Sequence, residues 1–322
     1  MKFFQERIEL LLFMMNTVSE INKAVCDDLA SFIAQSEANY KREVESIAEH
    51  IARNRHLKLI MLAGPSGSGK TTSAHILKES LKKFGFSSQV ISLDDFYLSE
   101  RDLPLLSDGE RDTESVYALD IDLMKRCFEN IIKTGKSRMP RFDFEQKKSI
   151  KDAYEFDATD SVIIVEGLHA LNPLITDSLP NDSFYKIYVS VNESIFDDEG
   201  DELLSSRKIR LMRRVLRDER FRNTDIKTTL KMWIKVIEGE EKYLYPFKSV
   251  ADKLLVTLHP YEVCVYRKHF IEAVSKLDVE TFNYAYAIYT MNAVTGFCDI
   301  DFSAVPTDSL IREFIGDGQF NY

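Results

Sequence analysis

Two rhythms of apolar residues alternate along the chain, and each change of rhythm marks an element. Residues 1–55 place apolar side chains at helical spacing and contain neither Gly nor Pro. Within them Ile47, Ala48 and Ile51 form one stripe of a helix that runs to Arg55. The period then breaks. Leu57-Lys-Leu-Ile-Met-Leu62 is a short aliphatic run closed by a Gly-rich turn, the pattern of a strand buried in a parallel sheet. A helix is predicted over 70–84, and further strands over Gln89–Leu93, Ser161–Val165, Phe184–Val191 and Lys253–Thr257, with helical stretches between them. This alternation predicts an α/β fold, a parallel five-stranded sheet flanked by helices, with ligands at the carboxyl ends of its strands.

The ends behave differently from the middle. The predicted organisation is a helical N-terminal segment over 1–55, a central α/β domain over 56–275 and a C-terminal extension over 276–322. The extension is rich in aromatics at Phe282, Tyr284, Tyr286 and Tyr289. Residues 99–118 carry Pro104, Gly109 and several acids and are predicted to form a loop. The apolar run Leu10–Met15 follows Glu6, Arg7 and Glu9 directly. It is too short for a membrane span and wrongly flanked for a signal peptide, so it is expected to be the buried stripe of an amphipathic helix. No internal repeat or low-complexity tract is visible.

Chemistry enters just after the strands. Gly64-Pro65-Ser66-Gly67-Ser68-Gly69-Lys70-Thr71, followed by Thr72, satisfies G-x-x-x-x-G-K-[ST] in full, with a strand before it and a helix after it. Glycines let backbone N–H groups converge on phosphate oxygens, and the following helix points its positive end at the same anion. Lys70 is expected to reach the β- and γ-phosphates of ATP, and Thr71 to ligate Mg²⁺. Gly135-Lys136-Ser137 repeats only the end of this pattern, with Asn130 where a glycine is needed and no strand before it; it is expected to be a surface loop.

Asp94 and Asp95 follow the second strand, in Ser92-Leu-Asp-Asp-Phe-Tyr97. A carboxylate there can accept the proton of an attacking hydroxyl or orient it, or it can simply cap the next turn; beside a phosphate-binding loop, catalysis is the reading taken for Asp94. Glu166 ends the third strand before Gly167, the place of an acid that holds Mg²⁺ directly or through water. Arg207, Lys208, Arg210, Arg213, Arg214, Arg217, Arg220 and Arg222 crowd one predicted helix. Two or three of them are expected on phosphate, the rest in a solvated helix with Asp218 and Glu219 as partners. The six histidines are scattered and expected to be structural. Asp197-x-x-Gly200 has no Asn-Lys-x-Asp companion, which disfavours a GTPase.

Composition narrows the class further. The chain has 322 residues, 44% of them hydrophobic and 29% charged, enough for a large core and a solvated surface. Its formal charge of −10 argues against a general nucleic-acid coat, which needs surplus cations to release counterions. Cys26, Cys127, Cys264 and Cys298 form no CxxC pair, no metal-ligand spacing and no disulfide framework. A reduced, cytoplasmic setting with neither nucleic acid nor membrane as partner is expected.

With these residues in hand, the chain resembles the uridine kinase and phosphoribulokinase family of P-loop kinases. Gly64–Thr71, Ser92–Tyr97, Pro140-Arg-Phe-Asp-Phe144, Val165-Glu-Gly167 and Arg210-Leu-Met-Arg-Arg-Val-Leu-Arg-Asp218 occur in the family's order across roughly residues 57–270. The helical lead-in, Gly167-Leu-His-Ala-Leu-Asn-Pro173 and Ser309–Gly316 resemble the longer bacterial uridine kinase-like proteins whose kinase domain follows a TGS-type domain, a region not recognised in these residues. The resemblance implies a nucleoside-kinase-like fold, ATP as donor, Mg²⁺, and a small-molecule nucleoside or related hydroxyl acceptor; a homo-oligomer is left open. It implies that Asp94 is the catalytic carboxylate and that Tyr97, Phe142 and Phe144 surround the nucleoside. Arg210 is implied near the substrate, with Arg213 and Arg217 in a lid over the phosphates, near 205–225. One departure is visible: uridine kinases place an acid before Ala-Phe-Asp to bind ribose, whereas this chain has Tyr117-Ala-Leu-Asp120, with Asp112 and Glu114 on the same loop as substitutes. Other acceptors, a sugar phosphate or pantothenate, and a non-catalytic ATP sensor acting through 1–55 or 276–322, are the alternatives.

Overall fold

The aliphatic runs become the sheet. In the computed structural model, which describes residues 17–107, 109–144, 146–177, 179 and 183–320, the strands are β1 (Leu59–Ala63), β2 (Ser87–Ser92), β3 (Lys136–Asp143), β4 (Lys148–Asp157), β5 (Ser161–Glu166), β6 (Phe184–Ser190), β7 (Ile195–Phe196), β8 (Glu202–Leu204) and β9 (Lys253–Val256). The helix expected around Leu10–Met15 lies outside the described residues. The main helices are α1 (Val18–Arg53), α2 (Lys70–Lys83), α3 (Ile121–Thr134), α4 (Pro173–Thr176), α5 (Ser206–Phe221), α6 (Ile226–Tyr243), α7 (Glu262–Val274), α8 (Tyr284–Val294) and α9 (Arg312–Ile315). No helix among the described residues is long and apolar enough to cross a membrane.

Two compact units emerge. One draws on Arg42–Val189 and Ile234–Leu255, the other on the described residues of Met1–Lys41, Ser190–Trp233 and Val256–Tyr322. Both take residues from the central segment predicted over 56–275.

The first unit is built on the five-stranded parallel sheet in the order β2-β5-β1-β6-β9. Every residue of β1 and β5 is buried, which is why neither strand alternates: both faces are covered. The register sets Leu62 and Ser92 on either side of Glu166, so three strand ends finish level with one another. Met61, Val165, Phe96, Met124, Phe128 and Tyr188 share the core beneath them. The second strand starts and ends earlier than its aliphatic run predicts, because Leu93 already belongs to a single 3-10 turn, Leu93–Phe96, capped by the Ser92 hydroxyl. Gly135-Lys136-Ser137 is not the expected loop. Gly135 takes a left-handed conformation (φ 78°) that ends α3, and Lys136 opens β3, one arm of an antiparallel hairpin with β4.

The second unit is largely helical. Ile209, Met212, Val215 and Leu216 of α5 are buried, as are Phe270 of α7 and Phe314 of α9. The helical run of the N-terminal segment is interrupted at Asp28, whose backbone is extended (φ −159°, ψ 87°). Its carboxylate accepts from the N–H and hydroxyl of Ser31 and so caps the next stretch of helix.

Candidate active site

The phosphate-binding loop is shaped by what its glycines lack. A Cβ on Gly64 would fall 2.1 Å from the carbonyl oxygen of Val189, so only glycine lets β1 turn there beside β6. Gly67 and Gly69 hold φ values of 72° and 86°, a region that suits glycine and turns successive amides toward one side. Ser68 N–H closes the turn on Pro65 O at 3.1 Å, and α2 starts at Lys70. The Lys70 ammonium donates to Pro65 O at 3.2 Å, so it lies along the loop that it would serve. Thr72 is buried, while Thr71 keeps part of its surface exposed at the first turn of the helix.

At the adjoining strand ends one hydroxyl joins two acids. Ser92 Oγ donates to Glu166 Oε1 at 2.6 Å and accepts from the N–H of Asp94 at 3.3 Å. Glu166 is buried; the Asp94 side chain is exposed. Asp95 turns away from it and accepts from Phe142 N–H at 3.4 Å; burial raises its pKa, partly offset by that bond and by Arg141. The neighbouring acids are thus unequal, and Asp94 is the one left open.

The Glu166 carboxylate and the Thr71 hydroxyl are hard oxygen donors of the kind that suits Mg²⁺. Among the described residues no cluster of three or more His, Cys, Asp or Glu side chains could hold a metal alone. A cation here would complete its shell with phosphate oxygens and water, as Mg²⁺ does at nucleotide sites.

Next to Asp94 the aromatic residues form a series. The ring of Tyr97 meets Phe142 at 5.6 Å and Phe142 meets Phe144 edge-on at 5.0 Å, with Phe144 64% exposed at the hairpin end. Tyr97 donates its phenol to Thr113 O at 3.1 Å. Burial holds that phenol's pKa well above its ordinary 10, and the carboxylates of Asp94, Glu114 and Asp112 push it in the same direction. Tyr117, expected at the sugar, is 61% exposed, with its N–H bonded to Ser115 Oγ.

Further contacts within this unit were not legible in the sequence. Glu240 on α6 is buried and accepts from the N–H of Ser66, inside the phosphate-binding loop, at 2.9 Å, and from Tyr245 OH at 3.3 Å. Nothing in Glu238-Gly-Glu-Glu241 separates it from its solvated neighbours. One residue earlier, a Cβ on Gly239 would fall 2.4 Å from Cβ of Glu114, and Tyr243 donates to Asp112 at 3.3 Å. One turn of α6 therefore holds both the phosphate-binding loop and the acidic loop 112–115. His169, in the turn after β5, is buried edge-on to Tyr243 at 6.1 Å. Burial lowers its pKa to about 4, against the Glu114 carbonyl and Asp112, which act to raise it; Lys70 adds to the lowering. Its ring is neutral at physiological pH, beside Lys70 and the acidic loop.

The arginines belong to the other unit, and there they serve each other's acids. Arg213 is fully buried and pairs bidentately with Glu262, Nε to Oε2 at 2.7 Å and Nη2 to Oε1 at 2.9 Å. Its remaining donors meet Thr257 Oγ1 at 3.2 Å and Thr257 O at 2.8 Å. Burial alone would lower the pKa of this guanidinium, but Glu262 and Tyr266 raise it on balance. The structure thus places Arg213, implied in the lid, in a buried ion pair, where a phosphate would compete with a carboxylate that already engages the guanidinium. Arg217 donates twice to Asp218 Oδ1, at 3.0 and 2.7 Å, and Arg214 to Oδ2 of the same acid at 3.1 Å. Arg210 is buried over the ring of Trp233 at 5.3 Å.

The family model described as Phosphoribulokinase / Uridine kinase family matches residues 59–262. A uridine kinase of Staphylococcus epidermidis is 28% identical over 199 residues, covering 61% of this chain and 86% of its own. A uridine kinase of Staphylococcus haemolyticus is 26% identical over the same length and coverage. Among solved structures, that of a possible uridine kinase from Bacillus stearothermophilus is 16% identical and covers 66% of this chain and 99% of its own, with a TM-score of 0.44.

Proposed function

The chain belongs to the phosphoribulokinase and uridine kinase family of P-loop kinases, and from that premise we propose that it transfers the γ-phosphoryl of ATP to the 5′-hydroxyl of a nucleoside, with Mg²⁺ as cofactor, in the cytoplasm. One observation carries the choice of acceptor. The phenol of Tyr97, next to the Phe142–Phe144 pair, donates to Thr113 O and lies in the field of the carboxylates of Asp94, Glu114 and Asp112. Aromatic faces take a base, and clustered carboxylates accept hydrogen bonds from sugar hydroxyls. The same carboxylates repel an anion, which disfavours a sugar phosphate or pantothenate.

Each residue then has a role drawn from its chemistry. The Gly64–Thr72 loop, through its backbone N–H groups from Gly67 onward, and the Lys70 ammonium hold the triphosphate. Thr71 and Glu166 would hold Mg²⁺, which would supply positive charge to neutralise the charge gathering on the phosphates. Asp94 accepts the acceptor hydroxyl's proton or aims its oxygen at the γ-phosphorus. Ser92 keeps Asp94 and Glu166 in register. Tyr97, Phe142, Phe144 and Tyr117 line the acceptor, and Arg210 and Arg217 keep their implied places at the substrate and over the phosphates on the strength of their motif alone. Positioning and charge neutralisation do the work, with no covalent enzyme intermediate.

The test is ADP release across uridine, cytidine, adenosine and guanosine, their 2′-deoxy forms, a pentulose phosphate and pantothenate. Turnover with at least one nucleoside, and kcat/KM for it at least tenfold above any anionic acceptor, is expected. Turnover confined to an anionic acceptor would refute the nucleoside reading. ATP binding without turnover of any acceptor would favour the sensor.

A further inference from the structure

Two cysteines far apart in sequence, Cys26 and Cys298, belong to the same compact unit. Asn22, on the helical stretch before the break at Asp28, clamps the segment that comes after α8. Its Nδ2 donates to Gly296 O at 2.7 Å, and its Oδ1 accepts from the N–H of Cys298 at 2.8 Å. Cys26 lies four residues beyond Asn22, one helical turn along the same face. The clamp on the Cys298 backbone therefore holds that residue beside the helical turn that carries Cys26, close enough for the Cys26 thiol to raise the pKa of Cys298. The segment is pinned from its other side as well. Arg267 donates to Val294 O, Thr295 O and both Asp299 oxygens, and Ile300 N–H bonds to Cys264 O.

We propose that Cys26 and Cys298 are a modification site: they form a reversible intramolecular disulfide that latches the N-terminal stretch of α1 to the segment after α8. The Asn22 side chain already holds the Cys298 backbone against the helical turn that leads to Cys26, and close backbones are what a disulfide requires. The break at Asp28 sits two residues from Cys26, so the short stretch 18–27 can adjust its approach without bending the helix beyond it. Cys26 is exposed and Cys298 half-exposed, whereas Cys127 and Cys264 are buried. Burial pushes the Cys264 thiol up to about 12, which keeps it out of exchange at neutral pH although it lies near Cys298. Among the described residues no metal-binding cluster includes the pair.

The chemistry balances with a low-molecular-weight disulfide, RSSR, as oxidant. The Cys26 thiol loses its proton, and its thiolate attacks one sulfur of RSSR, forming a mixed disulfide and expelling RS⁻. Cys298 loses its proton and attacks the Cys26 sulfur, forming the Cys26–Cys298 bond and expelling the second RS⁻. The two protons end on two RSH; RSSR gains two electrons and the protein loses two. Burial and the neighbouring Cys26 thiol raise the pKa of Cys298, so exposed Cys26 is the first to react.

The full chain is treated with oxidised glutathione at neutral pH, its free thiols are alkylated, and it is digested without reduction for mass mapping. The expected product is one linked peptide pair, Cys26–Cys298, in monomeric protein, reversed by dithiothreitol. Cys26→Ser and Cys298→Ser should each abolish it and leave glutathione on the remaining cysteine, with circular dichroism unchanged. Because the bond closes almost the whole chain into one loop, the oxidised form should melt at least about 3 °C higher. Glutathione on both cysteines without a linked pair, a pair involving Cys127 or Cys264, or a link only between chains would each overturn the proposal. A linked pair that leaves Tm unchanged would overturn the latch.

Discussion

Removing the Arg213 side chain should unfold the protein before it slows the reaction. Arg213→Met deletes a guanidinium with no exposed surface and strands the Glu262 carboxylate, itself wholly buried. It also removes the guanidinium's hydrogen bonds to Thr257 O and Oγ1. Breaking a buried pair by removing one partner costs about 3–5 kcal/mol, because the charge left behind is neither solvated nor paired. That is a large part of a typical total stability of about 5–15 kcal/mol. With an m-value of about 3 kcal/mol/M in urea, the unfolding midpoint should fall by about 1 M or more. The double variant Arg213→Met, Glu262→Leu leaves no stranded charge and should recover most of that loss, since well-packed apolar pairs often replace buried ion pairs without cost. Kinetics at a temperature where the single variant stays folded should show KM for ATP within about threefold of the original. Should the midpoint hold while kcat drops a hundredfold, about 2.7 kcal/mol of transition-state binding, the guanidinium serves phosphate and the structural reading of the pair is wrong.

Three other perturbations probe the kinase unit. Asp94→Asn keeps the shape of the side chain but cannot accept a proton, so kcat should fall at least tenfold with ATP affinity nearly unchanged; a collapse of ATP binding would instead make Asp94 a metal ligand. Glu240→Ala removes a buried acceptor from Ser66 N–H and Tyr245 OH, bonds to a charged group worth about 1.5–3 kcal/mol each. It should raise KM for ATP and lower stability, while Glu240→Gln keeps an acceptor for Ser66; equal effects from both would rule out the hydrogen bond as the reason. His169 titrates at about 4 in the fold against an ordinary 6.5, so its contribution is whole above pH 6.5 and drains away as pH falls to 4. The loss amounts to about 3 kcal/mol at most. His169→Phe should flatten the stability profile between those values; parallel profiles would show that the ring is not the source.

What could be read along the chain was whatever neighbouring residues encode together. The sheet needs only short runs of aliphatic side chains buried on both faces, as in β1 and β5. The Gly64–Thr71 loop needs only a fixed order of glycines before a helix. The β3–β4 hairpin escaped because most of β4 is exposed, so no buried face imposes an alternation on it. Asp28 breaks a helix in a stretch without Gly or Pro, since its side chain can cap the helical turn beginning beyond it. The remaining contacts were invisible for a different reason. Glu240 reaches Ser66 across 174 positions, and Glu262 encloses Arg213 across 49. At such separations a buried acid and a solvated one have the same local pattern. Only packing decides which carboxylate loses its water and which arginine is spent on it.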